Sequence, residues 1–369
     1  MKKIIIISAV NFFEGGPLTI LKDNLAFANS NLSDEYEIIA LVHDKKLLPV
    51  DELSAIKFME FPKSRKSYFN RLYLEYYYFK KLSKKIKPYL WFSLHDITPN
   101  VAADRQVVYC HNPTPFNKIM VKDLFFQPVI FFFSLFYKLL YQININRNRY
   151  VIVQQLWLKD KFVELFGLNP DKIIVNYPET IIPATFRLSD KSENVDAEVV
   201  FFYPALARPF KNFEVIGKAV KILAERGVRG FKVVFTISGQ ENNYAKYIHK
   251  HYSSLSEIEF VGKLPLDIVH EYYNSSTALL FTSALETWGL PITEFKSYNK
   301  PIILSDLPYA HETLGNYEKA YFFESANAVD LADKMVNVIT KSGLFDSTPP
   351  VNGTVLAGWD SLYNKILEN

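Results

Sequence analysis

Glu286 and Glu294 lie on either side of a Trp-Gly-Leu-Pro step in the segment ALETWGLPITEF. The segment follows TALLFTS, whose continuous apolar run predicts a buried strand. Pro291 suits the first turn of a helix, which places Glu294 on that turn and Glu286 in the loop before it. A helix start offers free backbone N–H groups, here at Gly289 and Leu290, and the positive end of the helix dipole. The stretch therefore predicts an anion site between two carboxylates that can accept hydrogen bonds from sugar hydroxyls, as a nucleotide-sugar would require.

The loop after another predicted strand, VVFFY, carries two cations, Arg208 and Lys211. Because the ends of parallel strands meet at one edge of a sheet, we expect these cations near the two acids. Two cations would neutralise a diphosphate and stabilise the charge that develops on it as it leaves. On each motif alone a structural explanation stays open: a solvated basic loop for the cations, and for Glu294 the favourable position of any acid at a helix start, worth about 0.3–1 kcal/mol.

The first half of the chain places polar or flexible groups after its own predicted strands. Gly15 and Gly16 follow the run KKIIIISAV, and backbone without a side chain there would allow a ligand to approach closely. His111 follows QVVYC, where it could hydrogen-bond a sugar through its ring or its backbone. Gly-Gly is common in turns and a lone histidine is often structural, so neither feature alone identifies a site.

The elements that position these residues alternate between strands and helices in both halves of the chain. At about 150 residues per domain, a chain of 369 residues predicts two domains, and 49% apolar residues allow a substantial core in each. Strand–helix alternation predicts parallel sheets with helices on both faces. We therefore predict an α/β fold with two tandem Rossmann-like, doubly wound domains facing a cleft. The predicted boundaries are 1–182 and 199–355, with a polar linker at 183–198.

Several function classes are excluded by motifs that the sequence lacks. No G-x-G-x-x-G opens either half and no G-x-x-x-x-G-K-[ST] is present, so neither a dinucleotide oxidoreductase nor a P-loop enzyme is supported. The single cysteine, Cys110, excludes an internal disulfide framework and predicts a reducing, cytoplasmic compartment. The apolar part of MKKIIIISAV is too short for a secretory leader, and we assign it to the first strand.

Two segments of the first half have an unusual composition. Residues 63–88 contain nine lysines and arginines, one glutamate and seven aromatic residues. Residues 124–137, LFFQPVIFFFSLFY, carry no charge but are shorter than the about 20 apolar residues of a spanning helix. We expect helices here and leave two interpretations open: ordinary solvated or buried helices, or a surface for peripheral contact with an anionic membrane. Nucleic acid is not indicated, because the net charge is only +3 and no nucleic-acid-binding motif is present.

The segment ETWGLPITEFKSYNKPIILSD resembles the most specific motif of the large group 1 family of retaining glycosyltransferases, which have the GT-B fold. Phe295 and Asn299 stand where that family usually has alanine and glycine, and the resemblance spans nearly the whole chain. The resemblance implies that Glu286 contacts hydroxyls of the donor sugar and that Glu294 contacts the ribose of the nucleotide. It also implies that the basic pair of RPFKN binds the diphosphate.

The same resemblance assigns the remaining residues. Gly15, Gly16 and His111 match the family's positions after strands of the first domain. The stretch FVGKLPLD implies contacts from the backbone of Lys263 and Leu264 to the nucleobase. The final helix, 356–369, is expected to pack back on the first domain. The expected catalytic residues are Glu286, His111, Arg208 and Lys211, and the expected donor-binding residues are Glu294, Gly289, Leu290, Gly15, Gly16, Lys263 and Leu264.

The resemblance implies transfer of a sugar from a nucleoside-diphosphate sugar to a glycan or polyprenyl-diphosphate-linked acceptor, with retention of anomeric configuration. The setting it implies is assembly of bacterial capsule, O-antigen or exopolysaccharide, in the cytoplasm or on the inner face of the plasma membrane. Because no Asp-x-Asp occurs in the sequence, we expect no essential metal and no cofactor besides the donor substrate. Two alternatives stay open: a non-catalytic nucleotide-sugar-binding subunit, and a sugar-nucleotide 2-epimerase that shares the fold.

Overall fold

The computed structural model describes residues 2–116, 126, 137–179, 198–348 and 351–368. These residues divide into two compact units: unit 1 contains 2–115, 137–179 and 353–368, and unit 2 contains 116, 126, 198–348, 351 and 352. The Phe-rich run 124–137 and the linker 183–198 lie outside the described residues except for Phe126, Tyr137 and Glu198. The structure predicted for both segments stays a prediction, and so does the boundary between the two domains.

Unit 1 is built on a parallel sheet of eight strands in the order β14-β7-β6-β5-β4-β1-β2-β3. Its strands are β1 (Lys3–Ala9), β2 (Tyr36–Val42), β3 (Ile56–Glu60), β4 (Leu90–Ser93), β5 (Arg105–Cys110), β6 (Tyr150–Val153), β7 (Ile173–Tyr177) and β14 (Leu356–Ala357). Its helices are α1 (Gly15–Asn31), α2 (Tyr68–Tyr73), α3 (Phe79–Ile86), α4 (Leu156–Phe166) and α11 (Gly358–Leu367). The apolar runs form the central strands, which are buried on both faces as in other parallel sheets.

The basic-aromatic stretch of unit 1 is helical, but not as one regular α-helix. A π-helical turn, Leu74–Tyr78, joins α2 to α3. Four buried side chains recur at every fourth residue: Arg71, Glu75, Phe79 and Ser83. Because an α-helix has 3.6 residues per turn, a strict repeat of four drifts around it, and a wider π turn returns the set to one face. The sequence pattern therefore explains the departure from α-helix.

Unit 2 is built on a second parallel sheet, of six strands in the order β10-β9-β8-β11-β12-β13. Its strands are β8 (Val199–Tyr203), β9 (Phe231–Phe235), β10 (Ile258–Phe260), β11 (Ala278–Phe281), β12 (Ile302–Ser305) and β13 (Ala320–Phe323). Its helices are α5 (Phe213–Glu225), α6 (Asn243–Tyr252), α7 (Leu266–Ser275), α8 (Leu290–Lys296), α9 (Pro308–Leu314) and α10 (Ala328–Ile339). The strand order changes direction between β8 and β11, and ligands of such sheets bind at the carboxyl ends of the strands beside that point.

The C-terminal helix α11 packs within unit 1. The Tyr363 hydroxyl donates to Asn24 Oδ1 at 3.2 Å, and the Tyr363 ring stacks on Phe27 with centroids 5.5 Å apart. The Arg105 guanidinium donates to the carbonyls of Ile366 and Glu368 at 3.2 and 2.7 Å, where the helix leaves its last carbonyls unpaired. The helix is therefore fixed by packing along its length and by a cation at its end.

Candidate functional site

The loops that follow β8 and β11 meet at the carboxyl edge of the unit 2 sheet. The two strands are neighbours in the sheet, so the chain leaves them side by side. The backbone N–H of Ala284 donates to the carbonyl of Phe210 at 2.7 Å, and the Thr282 hydroxyl donates to the carbonyl of Lys211 at 3.0 Å. Lys211 and Glu286 form an ion pair between Nζ and Oε1 across these loops. The structure thus brings together two residues that are 75 positions apart in the chain.

This ion pair is largely shielded from solvent, since the Lys211 and Glu286 side chains are 16% and 15% exposed. The ammonium group also lies 5.4 Å from the centroid of the Phe281 ring. A shielded pair interacts more strongly than one in bulk water, because the surrounding dielectric is lower. Lys211 therefore presents a fixed positive charge at the sheet edge, and Glu286 holds it in place.

The start of α8 lies close to the same phenylalanine. Gly289 precedes the helix with φ +89°, and a Cβ at that position would lie 3.3 Å from the Phe281 ring and 3.0 Å from Ile292 Cδ1. Both the left-handed backbone and the lack of space require glycine. Within the described residues, the backbone N–H groups of Gly289 and Leu290 have no hydrogen-bond acceptor. The Lys211 ammonium and this helix start, with its two free donors, thus share the Phe281 ring as a neighbour, as expected for an anion site.

Glu294 lies on the first turns of α8, where a tyrosine orients it. The Tyr273 hydroxyl, on α7, donates to Glu294 Oε2 at 2.8 Å. Burial raises the pKa of Glu294 above its ordinary value, and the hydrogen bond from Tyr273 opposes that rise. The carboxylate is therefore held at one oxygen, which leaves the other oxygen to accept a hydrogen bond from a ligand.

The other predicted residues of unit 2 are more exposed. Arg208 precedes the short 3₁₀ turn Pro209–Lys211 and has an exposed side chain with no ion pair in the described ranges. Lys263 is exposed and Leu264 partly buried in the loop between β10 and α7. Their backbone N–H groups have no acceptor among the residues that the structure describes, so they can serve a ligand. The carbonyl of Arg208 accepts a hydrogen bond from the backbone N–H of Lys211 at 2.9 Å, so the two cations belong to one turn.

In unit 1, Gly15 and Gly16 form the first turn of α1, which follows β1. Gly15 has φ +65°, and an added Cβ at either position would meet nothing within 4 Å. The N-cap residue, Glu14, makes no side-chain cap, and the first turn contains no acidic residue. The exposed helix start therefore offers backbone donors, although the space around it does not demand glycine at position 16.

The backbone of His111, which follows the last residue of β5, is fixed by a hydrogen bond. Its N–H donates to Asp96 Oδ1 at 2.8 Å, and its ring meets the Phe12 ring edge-on with centroids 5.3 Å apart. The Nε2 atom of His111 is buried and has no partner within the described part of the chain. A histidine nitrogen in that state is available to a bound molecule.

Two residues that matter to these sites were missed in the sequence. Asp96 follows β4 directly, so the rule that identified His111 also applies to it, and the polar pair His95–Asp96 after LWFSL was the available signal. Tyr273 had no such signal, because it lies within a helix and reaches Glu294 only through the fold. Within the described ranges, no group of three or more His, Cys, Asp or Glu residues could hold a metal ion, and no helix is long and apolar enough to cross a membrane.

Comparison with known proteins places these features in a wider group. Residues 186–346 match the family described as Glycosyl transferases group 1. The O-antigen chain mannosyltransferase RfbU of Salmonella typhimurium is 23% identical over 203 residues, or 54% of this chain and 54% of that protein. The chain thus spans about half the length of that curated relative.

Solved structures of low identity share the fold over nearly the whole chain. WaaG, a glycosyltransferase involved in lipopolysaccharide biosynthesis, has a TM-score of 0.64 at 12% identity, covering 91% of this chain and 90% of WaaG. HepE of Anabaena in complex with UDP-glucose has a TM-score of 0.63 at 14% identity, covering 92% and 90%. A putative UDP-N-acetylglucosamine 2-epimerase from Listeria monocytogenes has a TM-score of 0.54 at 13% identity, covering 92% and 88%. The fold predicted from the sequence, two tandem Rossmann-like domains of the GT-B type, is confirmed.

Proposed function

We propose that the protein is a glycosyltransferase that uses a nucleoside-diphosphate sugar, since residues 186–346 match the family of group 1 glycosyl transferases. The observation that carries the proposal is that the Lys211–Glu286 ion pair and the helix start with the free N–H groups of Gly289 and Leu290 both neighbour the Phe281 ring. One cation and two backbone donors suit the negative charge and the acceptor oxygens of a diphosphate. The proposal therefore places the donor at the carboxyl edge of the unit 2 sheet.

Each side chain of this site has a distinct role in the proposal. Lys211 binds the diphosphate and stabilises the charge that it gains when the sugar leaves. Glu286 holds Lys211 and accepts hydrogen bonds from the donor sugar, while Glu294 accepts from the ribose. Exposed Arg208 adds a second cation for the diphosphate. The backbone at Lys263 and Leu264 contacts the nucleobase.

Unit 1 contributes His111 and the helix start at Gly15 and Gly16 to the proposed reaction. The buried, unpartnered Nε2 of His111 supports a contact with the donor sugar. Transfer proceeds with retention of configuration, and the departing diphosphate accepts the proton of the incoming acceptor hydroxyl. Retention is supported by the family resemblance, and NMR of the anomeric proton in the first product tests it. Inversion at that carbon would contradict this part of the proposal.

We further propose that the reaction needs no divalent metal, because Lys211 and backbone donors supply the positive charge that a metal would otherwise give the leaving diphosphate. Turnover should survive EDTA unchanged. Loss of turnover in EDTA that Mg²⁺ or Mn²⁺ restores would contradict the proposal.

The acceptor that we propose is a glycan or polyprenyl-diphosphate-linked glycan of a bacterial surface polysaccharide. RfbU, an O-antigen chain mannosyltransferase, and WaaG, involved in lipopolysaccharide biosynthesis, support that setting. An acceptor of this kind requires the enzyme to reach the cytoplasmic face of the membrane. We therefore propose a cytoplasmic protein that contacts the inner face peripherally.

The outer face of α2, the π turn and α3 supports this membrane contact. It exposes aromatic rings next to lysines: Phe69 is 83% exposed, Tyr73 54% and Tyr77 50%. The Tyr73 and Tyr77 rings lie 5.3 Å apart, and Lys81 Nζ lies 4.5 Å from the Tyr77 centroid. Aromatic rings that insert at the interface beside cations that attract anionic headgroups are typical of peripheral membrane helices.

Vesicle flotation tests the membrane contact. The parent protein should float with phosphatidylglycerol vesicles and not with phosphatidylcholine vesicles, and floating should be lost after four exposed lysines are changed to glutamate: Lys80, Lys81, Lys84 and Lys85. A matched charge change at four exposed lysines elsewhere should leave it intact: Lys22, Lys46, Lys218 and Lys246. Equal recovery with both lipids, before and after the change, would refute the membrane contact without touching the transferase proposal.

A donor screen tests the transferase proposal itself. UDP-glucose, UDP-galactose, UDP-N-acetylglucosamine and GDP-mannose are each tested for a rise in melting temperature, since a ligand that binds only the folded state stabilises it. The donor that binds is then incubated with the protein, with and without a bacterial lipid extract, and nucleoside-diphosphate release is measured. Release that Glu286→Ala abolishes supports transfer. Binding with no release would instead identify a binding subunit, and conversion of donor alone to its epimer would identify a 2-epimerase.

A further inference from the structure

A network of four buried ionisable residues lies at the carboxyl edge of the unit 1 sheet. Arg71 and Asp96 are each 7% exposed, His95 is 1% exposed and Glu75 is fully buried. The four side chains come from α2, the π turn and the segment after β4, and their charges sum to zero when all are ionised. Buried ion pairs contribute little to stability compared with apolar residues of similar volume, so a network of this kind calls for another explanation.

Asp96 is the member of the network that reaches a residue of the proposed site. Its Oδ1 atom accepts three hydrogen bonds: from the backbone N–H of His111 at 2.8 Å, from that of Asn112 at 3.1 Å and from the Tyr141 hydroxyl at 2.9 Å. Its own N–H donates to the carbonyl of Tyr109 at 3.1 Å. Asp96 therefore determines the path of the backbone at the point where His111 leaves β5.

The backbone of Asp96 is itself in an unfavourable conformation. Its φ is +69°, in the left-handed region that residues other than glycine adopt uncommonly, although aspartate and asparagine enter it more readily than most. Such a conformation persists only where its surroundings enforce it, and it is concentrated at functional sites. The neighbouring residue, His95, supplies the enforcement.

His95 is held from three directions. Its Nδ1 lies 2.9 Å from the carbonyl of Ser8 on β1, and its Nε2 lies 2.5 Å from Glu75 Oε1 on the π turn. Both ring nitrogens thus face oxygen atoms of other elements, which fixes the orientation of the ring. The carbonyl of His95 accepts from the Arg71 guanidinium at 3.0 Å. With ring and backbone fixed, the residue that follows has little freedom.

We propose that Asp96 is a positioning residue for His111, and that the Glu75–His95 pair holds Asp96 in the conformation that allows it. None of the three contacts a substrate, because all are buried. This inference rests on the proposed function in one respect, the contact between His111 and the donor sugar. The π turn between α2 and α3 has a structural role in this proposal, since Glu75, which contacts His95, lies on that turn.

A double-mutant cycle tests the proposal through the rate of nucleoside-diphosphate release from the donor identified by the screen. Asp96→Ala removes all three bonds to Oδ1 and should lower kcat about a hundredfold, the scale of a misplaced catalytic group. Asp96→Asn should lose about tenfold or less, because asparagine keeps an accepting oxygen and tolerates positive φ. The Kd for the nucleoside diphosphate alone, which binds in unit 2, should stay at the parent value in both variants.

The cycle distinguishes positioning from a general loss of structure. If Asp96 acts through His111, then Asp96→Ala adds nothing to the loss already caused by His111→Ala. Multiplying losses in the double variant would overturn the proposal. Asp104→Ala is the matched control, since Asp104 is exposed at the other end of β5 and should leave kcat unchanged. If His111→Ala alone has no effect on kcat, the proposed role of His111 fails, whatever Asp96 does.

A milder variant keeps the test decisive if Asp96→Ala does not fold. Tyr141→Phe removes one of the three bonds to Oδ1 and preserves the ring packing. It should lower kcat to a smaller extent and again add nothing to His111→Ala. An unchanged kcat in Tyr141→Phe, or a loss that multiplies with the loss caused by His111→Ala, would overturn the inference.

Discussion

Replacing Tyr273 by phenylalanine removes one hydroxyl from the interior of unit 2 and leaves the aromatic ring in place. The ring packs against Phe202, Phe295 and Tyr298 with centroids 5.7, 5.5 and 5.7 Å away. Because phenylalanine fills the same space, the change is confined to the hydrogen bond that Glu294 Oε2 accepts at 2.8 Å. The substitution therefore isolates the orientation of one carboxylate.

The size of the effect follows from what that bond does. A hydrogen bond to a charged group is worth about 1.5–3 kcal/mol, so the free energy of unfolding should fall by up to that amount. Glu294 also becomes free to rotate, and fixing it again when a ligand binds costs about 0.5–1.5 kcal/mol. Since about 1.4 kcal/mol is a factor of ten in affinity, the Kd for a nucleoside diphosphate should rise about two- to tenfold.

The loss of affinity should depend on pH in a defined direction. Burial raises the pKa of Glu294, and the Tyr273 hydroxyl opposes that rise. Without the hydroxyl the pKa rises further, so a larger fraction of Glu294 is protonated in mildly acidic solution. A protonated carboxyl is a weaker acceptor for ribose hydroxyls. The ratio of the variant's Kd to the parent's should therefore grow as pH falls from mildly alkaline to mildly acidic.

Isothermal titration calorimetry with UDP and GDP, at one mildly alkaline and one mildly acidic pH, measures the ratio of the variant's Kd to the parent's. Tyr272→Phe is the matched control: it is the preceding residue on α7, its ring stacks on Phe202 at 4.9 Å, and its hydroxyl has no hydrogen bond in the described residues. The reasoning is refuted if Tyr273→Phe binds as Tyr272→Phe does at both pH values while Glu294→Ala still weakens binding.

Three further predictions concern the residues around α8. Glu286→Gln leaves the Lys211 charge without its counterion, so nucleoside-diphosphate affinity by calorimetry should be kept or improved while transfer falls about a hundredfold or more; weakened binding would contradict the roles assigned to this pair. Gly289→Ala should cost about 2–5 kcal/mol in urea unfolding, from left-handed strain plus overpacking, whereas Gly227→Ala, with φ +75° and nothing near its Cβ, should cost only the strain; equal losses would contradict the close approach of Phe281. Glu294→Gln should raise the melting temperature at neutral pH and leave it unchanged below pH 4.5. The pKa of Glu294 is raised in the folded state, so the stability that its carboxyl contributes is lost as the pH rises from the ordinary pKa of 4.5 through the folded pKa. An equal increase in melting temperature at every pH would contradict this sign.

Much of the fold, and the approach of the two loops at the edge of the unit 2 sheet, could be predicted because they depend on short-range patterns. Continuous apolar runs such as TALLFTS are strands buried on both faces, and the end of each run marks the end of its strand. In a parallel sheet those ends share one edge, so the residues that follow them are brought together whatever the loops do. This rule alone predicts that the cations after β8 lie near the acids after β11, and Lys211 and Glu286 form an ion pair there.

The rule did not predict how the carboxylates are held. Tyr273 lies near the end of α7, and nothing local marks its hydroxyl as a donor to a residue 21 positions away. Whether Glu286 faced a cation or open solvent depended on side-chain rotamers, which the strand rule does not address. Partners of this kind are set by the packing of α7 against α8 and β8, and packing is a property of the assembled unit.

The π turn shows that the spacing of residues in the sequence can indicate a departure from regular α-helix geometry. The four buried residues of this stretch share no hydropathy, since one is basic, one acidic, one aromatic and one small: residues 71, 75, 79 and 83. Their strict spacing of four is what they have in common. That spacing does not fit an α-helix, and the structure resolves the conflict by widening one turn at Leu74–Tyr78. The widening brings Glu75 to His95, and a buried pair of this kind is tolerated where it fixes a conformation that the remaining chain would not adopt alone. The left-handed Asp96 next to it is that conformation, which is why we attribute the irregular helix to the network at the sheet edge and not to the exposed aromatic side of the same helix.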